Sequence, residues 1–366
     1  MRILMLSKAC LVGIYQRKLE EIAKHPSVKE LKVLVPPSWI DERGEVFLER
    51  VHTTGYALQV TPIRFNGHFH LHYYPEFPKE AAAFRPDILH IDEEPYNLAT
   101  WLALRAARRV GAKSLFFTWQ NINRKYPLPF RWMEKWVFQH IDYAIAGTQS
   151  AADVWREKGY MGPMRVIPQF GVDTRLFLPV HKSNHILKIG YVGRLVPEKN
   201  IDLLLKALAS LKEYQWSLQI VGGGPEETTL RNQAEKLGLK DRIRFTGQLP
   251  SVEMPGYFQD LDVLVIPSRT MPNWKEQFGR VIIEAMASKV AVVGSDSGAI
   301  PDVIDEAGLI FREGDAADLA QQLRKLLINT ELRCQLAEKG RQRVQENFTQ
   351  EQVAAQTVAV YQEMLN

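Results

Sequence analysis

Cysteine is scarce: Cys10 and Cys334 are the only two in 366 residues. They lie far apart and form no metal-ligand or dithiol spacing, which excludes a disulfide scaffold and a cysteine-held metal and fits a reducing compartment. No stretch approaches the roughly 20 consecutive apolar residues of a membrane-spanning helix. The opening "MRILMLSKACLVG" is broken by Lys8 and is followed by no small-residue cleavage site, so a first strand is expected there rather than a secretory leader. Internal repeats at solenoid periods and low-complexity tracts are also lacking. The expected location is the cytoplasm, with peripheral contact at the inner face of a membrane considered below.

What is present is an ordinary globular composition, 46% hydrophobic and 24% charged, in a chain too long for one core. The net charge of +4 comes from the first half, which suits an anionic surface or substrate there. Short apolar or β-branched runs alternate with helical patterns, as in parallel sheets covered by helices. Strands are expected at "RILMLS", "LKVLVP", "LQVTPIRF", "DILHID", "SLFFTW", "YAIAGT" and "RVIPQ", then at "KIGYVG", "SLQIVGG", "RIRFTG", "DVLVIPS", "AVVGSD" and "GLIF". Between the two sets, "FGVDTRLFLPVHKSNH" has little periodicity and reads as a linker. Two open α/β domains in tandem are expected, with ligands at the carboxyl ends of the strands.

The second half opens with "YVGRLVPEKNIDLLLKAL", which sets Arg194 and Lys199 on a strand-to-helix loop, an arrangement suited to a phosphate or pyrophosphate. Taken alone, two surface cations near a helix start would be the blander explanation. The next strand ends in "VGGGPEE", where Gly222 and Gly223 permit a close approach to the backbone. The third glycine of a dinucleotide fingerprint and the acid that would hold its ribose are both missing, which disfavours an NAD enzyme. In "WKEQFGRVIIEAMA", Phe278 and Gly279 precede a helical pattern and would offer amides to a ligand. Glu284 stands inside its apolar stripe. A carboxylate so placed either faces solvent or is held buried for hydroxyls such as those of a nucleotide ribose.

The pattern Glu276, seven residues, Glu284 inside "EQFGRVIIEAMASKVAVVGSDSGAIPDVI", preceded in order by "GRLVPEKN", "VGGGP" and "FTGQL", resembles the retaining glycosyltransferases of family 4. The resemblance spans nearly the whole chain. It implies the GT-B fold, two facing Rossmann-like domains with parallel sheets: an acceptor-binding domain at 1–175, a donor-binding domain at 186–348, and a helix at 349–366 returning to the first. It also implies transfer of a hexosyl unit from a UDP- or GDP-sugar to a hydroxyl of a saccharide or lipid-linked acceptor, with anomeric configuration retained and no metal or other cofactor. By that resemblance Arg194 and Lys199 would hold the diphosphate and stabilise the leaving group, Glu276 would contact the transferred sugar, and Glu284 the ribose. The loop Thr246, Gln248 and Leu249 would hold the base, and Gly13 would let the first domain close over the diphosphate.

Many relatives carry a histidine after the strand that here reads "FFTWQN"; this chain has Gln120, which can bind a sugar hydroxyl but cannot shuttle a proton. Asp92, Glu93 and Glu94 close "DILHID" toward the expected cleft and, with His72, are further acceptor-site candidates. His68, His70 and His72 alternate at strand period and would share a face; a metal there lacks a nearby acid or cysteine, and an acceptor rim is the better expectation. "DLD" at 260–262 precedes its strand, at the wrong end for a metal-binding acid pair. "NRKYPLPFRWMEKWVFQH", residues 123–140, interleaves basic and aromatic residues. It suits either a helix resting on anionic membrane or one packed by its aromatic side. No nucleic-acid partner is expected. The rival readings are a catalytically silent sugar-nucleotide binding module and another enzyme of the same fold, such as a sugar-nucleotide epimerase.

Overall fold

The run "RILML" forms β1 (Arg2–Leu6), and every residue after Arg2 is buried. Ile3 and Met5 enter one apolar cluster and Leu4 and Leu6 another, because successive side chains leave a strand on opposite faces. A strand covered on both sides has no polar face to show, so it reads as a continuous apolar run. The structure is a computed structural model that describes residues 1–41, 44–180 and 186–366. The chain divides into two compact units, Met1–Gly171 with Gln350–Asn366, and Val172–Thr349.

In the first unit β1 is followed by β2 (Glu30–Val35), β3 (Ser38–Asp41), β4 (Gly44–Phe47), β5 (Ala57–Val60), β6 (Ile88–Ile91), β7 (Lys113–Thr118), β8 (Tyr143–Ala146) and β9 (Met164–Val166). Seven of them form one sheet in the order β5-β2-β1-β6-β7-β8-β9, with every pair parallel. The antiparallel pair β3–β4 was not expected from the sequence. One face of the large sheet is covered by the helix Arg17–Lys24 together with the C-terminal helix Gln350–Leu365. That C-terminal helix is anchored by Tyr361, whose hydroxyl lies 2.6 Å from Nδ1 of His90 on β6. The other face carries the helices Phe77–Phe84, Leu98–Val110, Phe130–His140 and Gln149–Glu157.

The second unit holds β10 (Leu187–Val192), β11 (Trp216–Val221), β12 (Ile243–Gly247), β13 (Val263–Ile266), β14 (Ala291–Ser295) and β15 (Leu309–Phe311). Their order is β12-β11-β10-β13-β14-β15, again parallel throughout. Of the stretch expected as a linker, Phe170 and Gly171 belong to the first unit and 172–180 to the second, where Val172 bridges to Thr349; residues 181–185 lie outside the described residues.

In each sheet the strand order reverses direction once, between β1 and β6 and between β10 and β13. At such a switch point the two following loops run to opposite faces and leave a crevice at the carboxyl ends of the strands. The polar residues of interest occupy those loops.

Candidate functional site

In the second unit the loop after β10 and the glycine loop after β11 are knitted together. The Gly193 amide donates to the Val221 carbonyl at 3.0 Å, and the Leu195 amide to the Gly223 carbonyl at 2.9 Å. Gly222 has φ +137°, and a Cβ built on it would stand 1.8 Å from the Gly193 carbonyl oxygen, so only glycine fits. Its amide donates to Gly247 at the end of β12 at 2.7 Å, which brings Thr246 and the Gln248–Leu249 loop alongside. Three loops thus form one shallow cradle. Arg194 lies on its rim, 3.4 Å from Glu198 with 43% of its side chain exposed. Lys199 immediately precedes Asn200, an αL residue from which the helix Ile201–Ala209 starts.

The loop after β13 brings Glu276 to Lys199 across the switch point. Their Nζ–Oε2 distance is 2.5 Å, and the Ser268 hydroxyl donates to the same carboxylate oxygen at 3.0 Å. The Lys199 ammonium also stands 4.7 Å from the Trp274 ring centroid. Trp274 is set there by a tight turn in which the amides of Met271 and Trp274 donate to each other's carbonyls at 2.8 and 3.2 Å. The Glu276 backbone is seated by Gly298 and Ala299. The Ala299 amide donates to its carbonyl at 3.1 Å, and a Cβ at Gly298 would fall 2.2 Å from that oxygen. Ser268, Trp274 and Gly298 lie within the quoted stretches but carry no signal of their own, because each acts through Lys199 or Glu276 in contacts that only the folded loops make.

Gly279, at φ +75°, turns the chain into the helix Arg280–Ala287, with Phe278 packed edge-on against Phe348. Glu284 is 4% exposed, so it does not lie on a solvated helix edge. Burial raises its carboxyl pKa, opposed by Arg280, whose Nε lies 2.8 Å from Oε1 one turn earlier. A buried carboxylate with a single cationic neighbour retains unused acceptor capacity, which is what a hydroxyl-bearing ligand requires.

In the first unit the loops after β1 and β6 meet at their own switch point in a buried polar cluster. Asp92 accepts from the Gln169 side chain at 2.7 Å and from the Ser7 hydroxyl at 2.5 Å. Glu93 pairs with Lys8 and accepts from the Tyr74 hydroxyl at 3.1 Å, with His72 Nε2 3.4 Å away. Glu94 accepts from the Thr118 hydroxyl at 2.6 Å and the Trp119 amide at 2.8 Å. These carboxylates are thus engaged within the unit. Burial alone would raise the Glu93 pKa, but Lys8 and His72 outweigh it and hold the group down to about 2. Burial raises Glu94 to about 7 against the bonds from Thr118 and Trp119.

A depressed carboxyl stabilises the folded state above its unfolded pKa and loses that contribution as pH falls through the folded value. For Glu93, a drop from 4.5 to about 2 corresponds to about 3 kcal/mol, lost progressively between those two pH values. Glu93→Gln is therefore expected to be less stable at neutral pH and to show a flatter acid limb in urea melts below pH 4.5. Parallel acid limbs for the two proteins would refute this.

The histidine stretch departs from strand geometry. Gly67 turns the chain at φ +85°, and the Leu71 and His72 amides both donate to the His68 carbonyl at 3.0 Å. The three rings therefore do not share a face: His68 is exposed, His70 half-buried, and His72 fully buried with Nδ1 2.9 Å from the Phe69 carbonyl. The acid that seemed missing near them is Glu93, delivered by another loop. Among the described residues no group of three or more His, Cys, Asp or Glu is arranged to hold a metal. Asp260 pairs with Lys188, and Asp262 accepts its amide at 2.8 Å, at the amino ends of the strands.

Gln120 is buried, donating to the Tyr126 hydroxyl at 3.0 Å and accepting from Lys158 at 3.1 Å. The Gly13 amide is held by Glu49 at 2.7 Å, with Val51 against its α-carbon. In 123–140, the helix Phe130–His140 turns Trp132 and Trp136 toward Trp101 of the neighbouring helix, each 5.9 Å away, and exposes Arg131 and Lys135. No helix among the described residues is long and apolar enough to cross a membrane.

Two parallel, doubly wound units, each with polar loops gathered at its switch point, define a protein of the GT-B fold. The pattern described as "Glycosyl transferases group 1" matches residues 180–343, and that described as "Glycosyltransferase Family 4" matches residues 30–176. The chain belongs to the family-4 type of glycosyltransferases, and it is an enzyme of that class. It is 28% identical over 287 residues to the lipopolysaccharide core biosynthesis mannosyltransferase LpcC of Rhizobium leguminosarum, covering 74% of this chain and 76% of that one. It is 30% identical over 253 residues to the MMP alpha-(1->4)-mannosyltransferase of Mycolicibacterium hassiacum, covering 65% of this chain and 59% of that protein. Among solved structures it resembles Anabaena Alr3699/HepE in complex with UDP, with TM-score 0.74, 18% identity, and coverage of 99% and 100% of the two chains.

Proposed function

We propose that the protein transfers a hexosyl unit, with retention of anomeric configuration, from a UDP- or GDP-sugar to a hydroxyl of a saccharide or lipid-linked acceptor, and that it does so without a metal. The observation that carries this reading is the cradle of the second unit. A cation pair, Arg194 and Lys199, shares one switch point with glycine loops, a carboxylate bound to the cation, and a buried carboxylate one helix away. Arg194 and Lys199 hold the diphosphate and stabilise the charge that develops on it, Glu276 contacts hydroxyls of the transferred sugar, and Glu284 accepts the ribose hydroxyls. Gly222 and Gly223 admit the ligand close to the backbone, the Phe278 and Gly279 amides face it at a helix start, and Thr246, Gln248 and Leu249 flank the base. In the reaction the bond from the anomeric carbon to the diphosphate oxygen breaks, a bond to the acceptor oxygen forms, and the departing diphosphate takes the acceptor's proton. Gln120 takes no part in that proton transfer.

The mannosyltransferase relatives favour a mannosyl donor, and the UDP held by the HepE structure keeps a uridine nucleotide in play. Thermal-shift screening with UDP-, GDP- and ADP-sugars, followed by an assay of nucleotide diphosphate release in EDTA, tests the reading, because a ligand that binds only the native state raises the melting temperature. Stabilisation by none of them would refute it. Binding without release in the presence of saccharide and lipid acceptors would favour the silent-module alternative.

Residues 123–140 support a second element, peripheral contact with an anionic cytoplasmic membrane surface. Leu128 is 77% and Trp132 53% exposed, beside the exposed Arg124, Lys125, Arg131 and Lys135. Binding to vesicles is then expected to rise with their phosphatidylglycerol content and to fall with salt. Equal recovery in the unbound fraction at every lipid composition would remove this element and leave the enzymatic reading intact.

A further inference from the structure

His70 is the one histidine of "HFHLH" that combines a half-buried ring with a built surround. Its imidazole centroid lies 5.1 Å from Phe130, 5.3 Å from Tyr126 and 5.4 Å from Tyr96. These walls are themselves fixed. Tyr96 and Tyr126 are 4.3 Å apart, Gln120 donates to the Tyr126 hydroxyl at 3.0 Å, and the Lys158 ammonium stands 4.8 Å from the Tyr126 ring. The backbone is pinned as well, the Leu98 amide donating to the His70 carbonyl at 3.0 Å. A side chain this confined is held for a purpose other than filling space, because a phenylalanine would complete the aromatic cluster without burying polar nitrogen.

Inside the cluster Nδ1 is buried without a hydrogen-bond partner. Next to it is Asn97, which is fully buried and whose carboxamide oxygen and nitrogen likewise lack one. The two groups are close enough for the carboxamide to favour the protonated ring, yet no well-formed bond joins them. Two polar side chains left unsatisfied within one aromatic cluster are costly, and a ligand that draws them into register offsets that cost. Burial first, then His72 and Arg124, lower the imidazole pKa, so the ring is neutral and carries one N–H and one lone pair. When Nδ1–H turns to the Asn97 oxygen, the lone pair lies on Nε2, the other nitrogen of this half-buried ring. A neutral acceptor framed by aromatic faces repels an anion with its lone pair, and the Arg124 charge that lowers the imidazole pKa disfavours a second cation. It suits a hydroxyl on a ring whose C–H face can lie against an aromatic wall.

We propose that His70 is an acceptor-binding residue, its Nε2 accepting a hydrogen bond from a hydroxyl of a pyranose- or cyclitol-type acceptor while Asn97 sets its tautomer. The proposal rests on the reading of the first unit as the acceptor-binding unit. It is tested on the full chain by titrating methyl α-D-mannopyranoside and, separately, myo-inositol, while following the histidine Cε1–Hε1 resonances by NMR, with UDP and GDP binding measured in the same samples. The His70 resonance is expected to move with at least one probe. His70→Phe, which keeps the aromatic packing, is expected to weaken that binding about tenfold, one net hydrogen bond, with nucleotide affinity unchanged, and His70→Gln to recover part of it.

A stationary His70 resonance in wild-type protein that binds nucleotide would overturn the proposal, as would undiminished probe binding by His70→Phe. Loss of both nucleotide binding and melting temperature in His70→Phe would show the ring to be structural and would also overturn it. Failure of the wild type to bind any nucleotide would instead overturn the functional reading on which the proposal rests.

Discussion

Replacing Lys199 with alanine is expected to lower kcat by about 10²-fold or more, and by a larger factor than it raises the donor KM. The reason lies in what the ammonium touches. It is bonded to Glu276 at 2.5 Å and backed by the Trp274 ring at 4.7 Å, with 18% of its side chain exposed, so its position is set before any ligand arrives. A preorganised cation of low exposure acts most strongly on charge that appears only as the diphosphate departs, and an effect confined to the transition state appears in kcat. Arg194, which is 43% exposed, is expected to show the same pattern with a smaller factor, since solvent screens it more.

Lys199→Ala also removes the ion pair that holds the Glu276 carboxylate, and part of any loss then comes from that carboxylate. Glu276→Gln separates the two effects: it spares the cation, and so should cost sugar positioning more than leaving-group stabilisation. Steady-state kinetics with release of nucleotide diphosphate in EDTA, paired with melting temperatures, reads both. Normal turnover by Lys199→Ala and Arg194→Ala would mean that the diphosphate lies elsewhere, and the assignment of the second unit's cradle would fall with it.

Glu284→Ala is expected to weaken nucleotide binding by about 1.5–3 kcal/mol, about 10- to 150-fold in Kd, the range for a hydrogen bond to a charged group. The same substitution is not expected to destabilise the protein. Burial raises the Glu284 pKa, so its ionised form costs folding free energy above its folded pKa, and that cost fades as pH falls toward the unfolded value. Removing the carboxylate removes the cost and ends its ion pair with Arg280, which already has 36% of its side chain exposed. Wild-type nucleotide affinity should in addition fall as pH drops through the raised carboxyl pKa, at a higher pH than for an ordinary glutamate, because the protonated acid loses acceptor capacity. Isothermal titration with the free nucleotide diphosphate, run against pH for both proteins, checks the two claims together. Unchanged affinity in Glu284→Ala would make the buried pair with Arg280 a purely structural feature.

The glycines and the charged residues of the second unit were legible because each sits within a few residues of a strand end, and strand ends announce themselves by apolar runs. The strand at "LQVTPIRF" proved shorter than it reads, ending at Val60 before Pro62. Proline removes the ladder donor, whereas apolar content alone continues past it. The alternation in "HFHLH" misled for a related reason: period-2 spacing describes a strand only when the backbone is extended, and Gly67 permits the turn that bends it.

Determined by the sequence itself were the alternation of strand and helix, the continuous apolar strands that require a parallel sheet covered on both faces, and the ordered motifs that mark the family. These are local properties, written as periodicity and spacing over ten to twenty residues. The tertiary structure alone decided which distant loops arrive together. It brought Glu276 to Lys199 across 77 residues and Asp92 to Ser7 across 85. It buried His72 beneath Glu93, and it closed three aromatic rings around His70. Periodicity records which side of an element faces the core, but not which other element supplies the facing side chain. That is settled by strand order and by the helices that cross between parallel strands, and so the partners, burial and protonation of the site residues emerge only once the sheets are assembled.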